Sequence, residues 1–94
     1  MQKANENATQ RVAVFSSHFL EDLTFFVQHE RRLALKLLEL VEAILRDPSQ
    51  GLGKPEPLKH MPANTWSRRL NQEHRVVYTV AADRITFLQA RYHY

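Results

Sequence analysis

An α+β domain, with two helices packed on one sheet, is the fold class this sequence predicts. Three observations predict it. A short apolar run, Val12-Ala13-Val14-Phe15, stands alone near the start. Apolar residues then recur at helical spacing from Phe19 to Leu45. Beyond a loop rich in Pro and Gly the period drops to two and stays there. The order strand, helix, helix and a meander of three strands belongs to a domain whose helices cover one face of a single sheet.

Each element has a local reason. Met1 to Gln10 is polar and aperiodic, which predicts a disordered extension before a single domain over residues 11–94. Ser16-Ser17 can cap the first helix, and Glu21 and Asp22 are expected in its first turns, where the helix dipole favours acids. Phe19, Leu20, Leu23, Phe26 and Val27 form its apolar face. The pattern fades at Gln28-His29-Glu30. A second helix carries Leu33, Leu37, Leu40, Val41, Ile44 and Leu45, and Asp47-Pro48 ends it. Leu35 and Leu38 widen its apolar face, either for deeper burial or for docking of another chain.

Residues 49–65 hold both glycines and Pro55, Pro57 and Pro62. So long a loop in a small domain tends to be functional. Alternation then marks strands at Trp66–Leu70, His74–Val80 and Ile85–Tyr92. Asn71-Gln72-Glu73 and Ala81-Ala82-Asp83 are the turns.

Composition excludes several classes. The chain of 94 residues has no cysteine, so disulfides and thiolate metal sites are out. No apolar run approaches the roughly 20 residues of a membrane span. The start lacks the basic-then-apolar order of a signal peptide, so a cytoplasmic protein with no membrane partner is expected. Residues 1–50 carry six Lys/Arg and seven Asp/Glu, for −1, while residues 51–94 carry seven and three, for +4. That asymmetry fits either an anionic partner for the second half, nucleic acid being the commonest, or a solvated basic surface.

The first hairpin sharpens the choice. If Asn71-Gln72-Glu73 is a three-residue loop, Leu70 pairs with His74 and Arg69 lies directly opposite Arg75, whereas a change of one residue in loop length moves Arg75 to the opposite face. Like charges side by side on one sheet face are destabilising. A phosphate between them relieves the repulsion, since guanidinium groups match its oxygens in bidentate fashion; the alternative is that both side chains splay into water. Glu56 lies between Pro55 and Pro57, whose rings restrict the backbone on both sides. Lys54 and Lys59 flank it. It is either a solvated loop acid or a carboxylate held over a basic face. His60 and His74 read as structural, and the five histidines lack metal-ligand spacing, so no metal or other cofactor is expected. The run Arg91-Tyr92-His93-Tyr94 offers a His that can exchange a proton near neutral pH, beside an Arg and two Tyr, unless the aromatics merely close the sheet.

Four ordered blocks carry a resemblance. They are Gly53-Lys54-Pro55-Glu56-Pro57-Leu58-Lys59-His60, Trp66-Ser67-Arg68-Arg69, Glu73-His74-Arg75-Val76-Val77-Tyr78 and Arg91-Tyr92-His93-Tyr94. Together, in spacing and order, they resemble the YoeB (Txe) family of bacterial toxins, in the RelE-like superfamily. The resemblance is close over 51–94 and looser over 11–50. It implies a RelE-like fold: an N-terminal strand, two helices and an antiparallel three-stranded meander forming one sheet. It also implies a metal-independent, ribosome-dependent endoribonuclease that cuts mRNA in the A site. By matching positions, Glu56 corresponds to the general base and His93 to the general acid. Arg69 and Arg75 correspond to the phosphate-contacting arginines, Tyr94 to an aromatic of the active site and Lys59 to a further basic contact. Lys54, Arg68 and Arg91, the other cations of these blocks, are expected to bind substrate. The implied partners are a cognate antitoxin of the YefM/Phd-like kind, the ribosome with its mRNA, and operator DNA only through the antitoxin complex; a homodimer is left open. Two rivals stand beside this: a non-catalytic toxin of the same fold, such as a ParE-like one, and a plain RNA- or protein-binding module.

Overall fold

The computed structural model describes residues 11–91. The expected extension Met1–Gln10, together with Tyr92, His93 and Tyr94, lies outside the described residues. Within them the elements are β1 (Val12–Phe15), α1 (Ser17–His29), α2 (Arg31–Arg46), β2 (Glu56–Pro57), β3 (Thr65–Arg69), β4 (Arg75–Val80) and β5 (Arg84–Gln89). They form one sheet in the order β1-β5-β4-β3-β2. β1 runs parallel to β5, and the other pairings are antiparallel. The expected α+β class and its strand–helix–helix–meander order hold. A fifth strand, β2, is added at the edge, where sequence reading placed only loop.

Ser16 caps α1 as expected. Its Oγ accepts the Phe19 N–H at 3.0 Å and donates to the Leu88 carbonyl at 2.8 Å. Its own N–H donates to the Phe87 carbonyl, so the turn from β1 into α1 is fastened to β5. Phe19 and Phe26 are fully buried, and Leu23 packs partly against the core. Leu20 and Val27 are exposed, because the inward arc is narrower than the apolar pattern and its centre passes through Asp22. Glu21 and Asp22 stand in the second turn, beyond the reach of the helix dipole's first turn.

The chain breaks at Glu30, whose φ of −146° is not helical, and restarts as α2. Ala34, Leu37, Leu40, Val41 and Ile44 are its buried stripe. Leu35 and Leu38 are 59% and 45% exposed, which settles their alternatives: they are surface. Asp47, extended ahead of Pro48, ends the helix.

Both helices cover the sheet face that carries Leu70, Val76, Tyr78, Ile85 and Phe87. The pleat turns Ser67, Arg69, Arg75 and Val77 to the other face. His74 is buried with the helix-side set, its ring edge-on to Phe26 at 5.1 Å, as a structural histidine. The hairpin has the expected three-residue loop. The Leu70 N–H donates to the His74 carbonyl, and Asn71 Oδ1 accepts from the N–H groups of Glu73 and His74. β5 ends at Gln89, short of the expected Tyr92, and its ladder with β4 is irregular at Val77/Tyr78.

Candidate active site

Glu56 is placed by the stiff loop. Gly53 has a φ of +87°, and a Cβ there would lie 2.8 Å from the Arg69 carbonyl oxygen, so a side chain is barred on both counts. The Gly53 carbonyl accepts the Arg69 N–H at 2.8 Å, and the Leu58 N–H donates to Thr65. Between these two ties the chain can only run along β3. β2 therefore pairs Glu56 with Ser67 and Pro57 with Trp66. Proline suits this outer edge, where no ladder donor is needed.

The β3–β4 register sets Ser67 opposite Val77 and Arg69 opposite Arg75, as the hairpin argument requires. Glu56, Ser67, Arg69 and Arg75 thus share the face that the helices leave open. Arg75 links two of them: its Nε donates to Ser67 Oγ at 3.0 Å, and its Nη2 donates to Glu56 Oε1 at 3.1 Å. The guanidinium plane is fixed from one side by a hydroxyl and from the other by a carboxylate that is itself 65% exposed. Ser67 was not singled out from sequence, although alternation with Arg69 was a signal for it. Arg69 is exposed and lines a groove with Lys54 and with Lys36 of α2, a third cation that spacing alone could not bring there. Lys59 is exposed on the turn after β2.

Two arginines expected to bind substrate have partners on the helix side. Arg68 points to the helix side and is 0% exposed. Its Nε donates to Tyr78 Oη, Nη1 to the Leu52 carbonyl, and Nη2 to the carbonyls of Asp47 and Gln50. With Nε committed to Tyr78 and both terminal nitrogens to the 47–52 loop, it is a buried clamp. Tyr78 completes the clamp by donating to the Pro48 carbonyl at 2.6 Å. Burial pushes its phenol above the usual tyrosine range, against the opposing pull of Arg68. Arg91 lays its guanidinium 3.6 Å over the Phe25 ring of α1. Among the described residues no three His, Asp or Glu side chains gather as a metal site. His93 and Tyr94 lie outside the described residues.

The family model for the YoeB-like toxin of bacterial type II toxin–antitoxin systems matches residues 15–94, which include both the hairpin and the loop that builds this face. The chain belongs to the YoeB-like toxins. A toxin named YoeB from Mycobacterium bovis is 46% identical over 74 residues, covering 79% of this chain and 87% of that protein. The YoeB dimer of Staphylococcus aureus superposes with a TM-score of 0.82 at 38% identity, covering 90% of this chain and 99% of that one. A heterotetrameric YoeB–YefM toxin–antitoxin complex from the same organism gives a TM-score of 0.78 at 38% identity, with the same coverage. The YoeB-like toxin described here thus has its α+β scaffold in common with solved relatives. No helix among its described residues is long and apolar enough to cross a membrane.

Proposed function

We propose that this YoeB-like toxin is a metal-independent endoribonuclease that cuts mRNA in the ribosomal A site, in the cytoplasm, and so stops translation. The observation that carries the proposal is the Glu56–Arg75 pair at 3.1 Å, with Arg69 across the ladder, on the sheet face away from the helices. A phosphate entering beside Arg75 competes with Glu56 for its guanidinium. The carboxylate is then free to take the proton of the neighbouring ribose 2′-OH. The 2′-oxygen attacks phosphorus as the bond to the 5′-oxygen breaks. Arg69 and Arg75 stabilise the charge that builds on the phosphoryl oxygens, and Lys54 and Lys59 attract the strand. His93 gives its proton to the departing 5′-oxygen, with Tyr94 beside it. The products are a 2′,3′-cyclic phosphate and a 5′-hydroxyl. DNA lacks the nucleophile and is left intact.

The test is end-mapping of an mRNA on translating ribosomes. Wild-type protein should leave 5′-hydroxyl ends at the A-site codon. Arg69→Ala and Arg75→Ala should each lower the rate about 10²–10³-fold, the scale for removing one positioned donor to transition-state charge. Neither should unfold the domain, because each removes one of two like charges paired across the ladder. Absence of cleavage by wild type would sink the proposal, and full activity in both variants would remove the arginines from it.

A nuclease of this kind needs restraint. The exposed Leu35 and Leu38 and the groove of Lys36, Lys54 and Arg69 suit an acidic antitoxin of the YefM/Phd-like kind that folds on binding, as YefM accompanies YoeB in the S. aureus complex. Expression of the toxin alone should arrest growth, and co-expression with the antitoxin encoded beside it should restore growth. Normal growth without the antitoxin would count against this role.

A further inference from the structure

Asp22 is a charged residue in the middle of the buried face of α1, 4% exposed, between Phe19 and Phe26. Burying a carboxylate is costly unless hydrogen bonds compensate it. His18 Nε2 of the same helix stands 3.6 Å from Oδ2 on the exposed side, and the hydrogen bonds come from two backbone donors. Asp22 Oδ2 accepts the backbone N–H of Ala90 at 2.8 Å and of Arg91 at 3.2 Å. These two residues follow the end of β5 at Gln89, past the last register partners that β1 and β4 provide. Their N–H groups have left the ladder, and the carboxylate collects both. One helical turn on, Phe25 holds the Arg91 guanidinium against its ring. α1 therefore grips the backbone and the side chain of the last described residue.

We infer that Asp22 is a positioning residue for cleavage: by fixing the backbone of Ala90 and Arg91 it sets the point from which the chain leads to His93. The inference rests on the proposed role of His93 as proton donor. His93 is two residues beyond Arg91, at most about 7–8 Å of backbone. A misplacement of about 1 Å is enough to cost on the order of 10²-fold in rate. The anchor explains why a carboxylate occupies a helix position that Leu or Ala would fill more cheaply.

The experiment is single-turnover cleavage on mRNA-programmed ribosomes with full-length protein, varying ribosome concentration, alongside melting curves. Asp22→Ala should lower the saturating rate about 10–100-fold with the half-saturating ribosome concentration unchanged. Asp22→Asn keeps an acceptor oxygen in place and should stay within about threefold of wild type. Asp22→Ser, too short to reach both N–H groups, should follow Ala and serves if the Ala variant does not fold. Wild-type rates in the folded Ala or Ser variant overturn the inference, as does an equal loss in Asn, which would point to the charge and not the anchor. His93→Gln is measured in parallel. If it is inactive while Asp22→Ala is active, only the positioning role fails; if it cleaves normally, the His93 assignment fails and takes the inference with it.

Discussion

Replacing Glu56 with Gln is expected to slow mRNA cleavage on ribosomes by about 10²–10⁴-fold, the range that general bases contribute. Gln has nearly the same shape but cannot take the 2′-OH proton. The change separates two roles that the geometry superimposes. Glu56 accepts a hydrogen bond from Arg75 at 3.1 Å, and an amide oxygen can accept the same bond. If Glu56 served only to orient Arg75, Gln would preserve most of the rate. Stability should barely move. The side chain is largely exposed, β2 is held by backbone pairing with β3, and an exposed ion pair contributes about 0–1 kcal/mol. Single-turnover rates together with a melting curve decide the matter, and near-wild-type cleavage would remove Glu56 as the base.

Arg68→Ala should do the opposite of Arg69→Ala, its neighbour. Arg68 bonds three carbonyls of the 47–52 loop and the Tyr78 hydroxyl from a fully buried position. Charged hydrogen bonds of this kind contribute roughly 1.5–3 kcal/mol each and are not additive, so a loss of about 3 kcal/mol is expected. For a domain of this size that is a large part of the total. Arg68→Lys should recover little, because one ammonium cannot span the acceptors that the planar fork reaches. Activity should fall as a consequence, because this loop delivers Gly53 and Glu56 to the edge of β3. Urea titration of Arg68→Ala beside Arg69→Ala is the check. Equal stability of the two would mean the clamp contributes nothing.

Much of this was legible before any coordinates. The Ser16 cap, the break at Glu30 and the stop at Asp47-Pro48 are local matters of backbone donors and steric limits, and all three hold. The pairing of Arg69 with Arg75 was conditional on a three-residue loop at Asn71-Gln72-Glu73, and the ladder has that register. Motif spacing pointed to the family, which the match over residues 15–94 bears out.

What misled were cases where residue type was read without its face. Arg68 and Arg69 are adjacent, basic and part of one motif. Trp66 and Leu70 flank Arg68 at alternate positions, a signal that it shares their inward face, but charge suggested water.

The sequence by itself determined the two helices, the four longer strands and the family, because each depends on periodicity, on turn chemistry or on a few residues close in the chain. Only the tertiary structure decided that residues 56–57 become a strand, that Arg68 is a clamp, and that Asp22 of α1 holds residues 68 and 69 positions further along. Those outcomes depend on which backbone groups are left without partners once helices and sheet have packed. That count closes only in three dimensions: the Gly53–Arg69 contact makes β2, the open carbonyls of the 47–52 loop draw in Arg68, and the two N–H groups past the end of β5 call for a buried carboxylate.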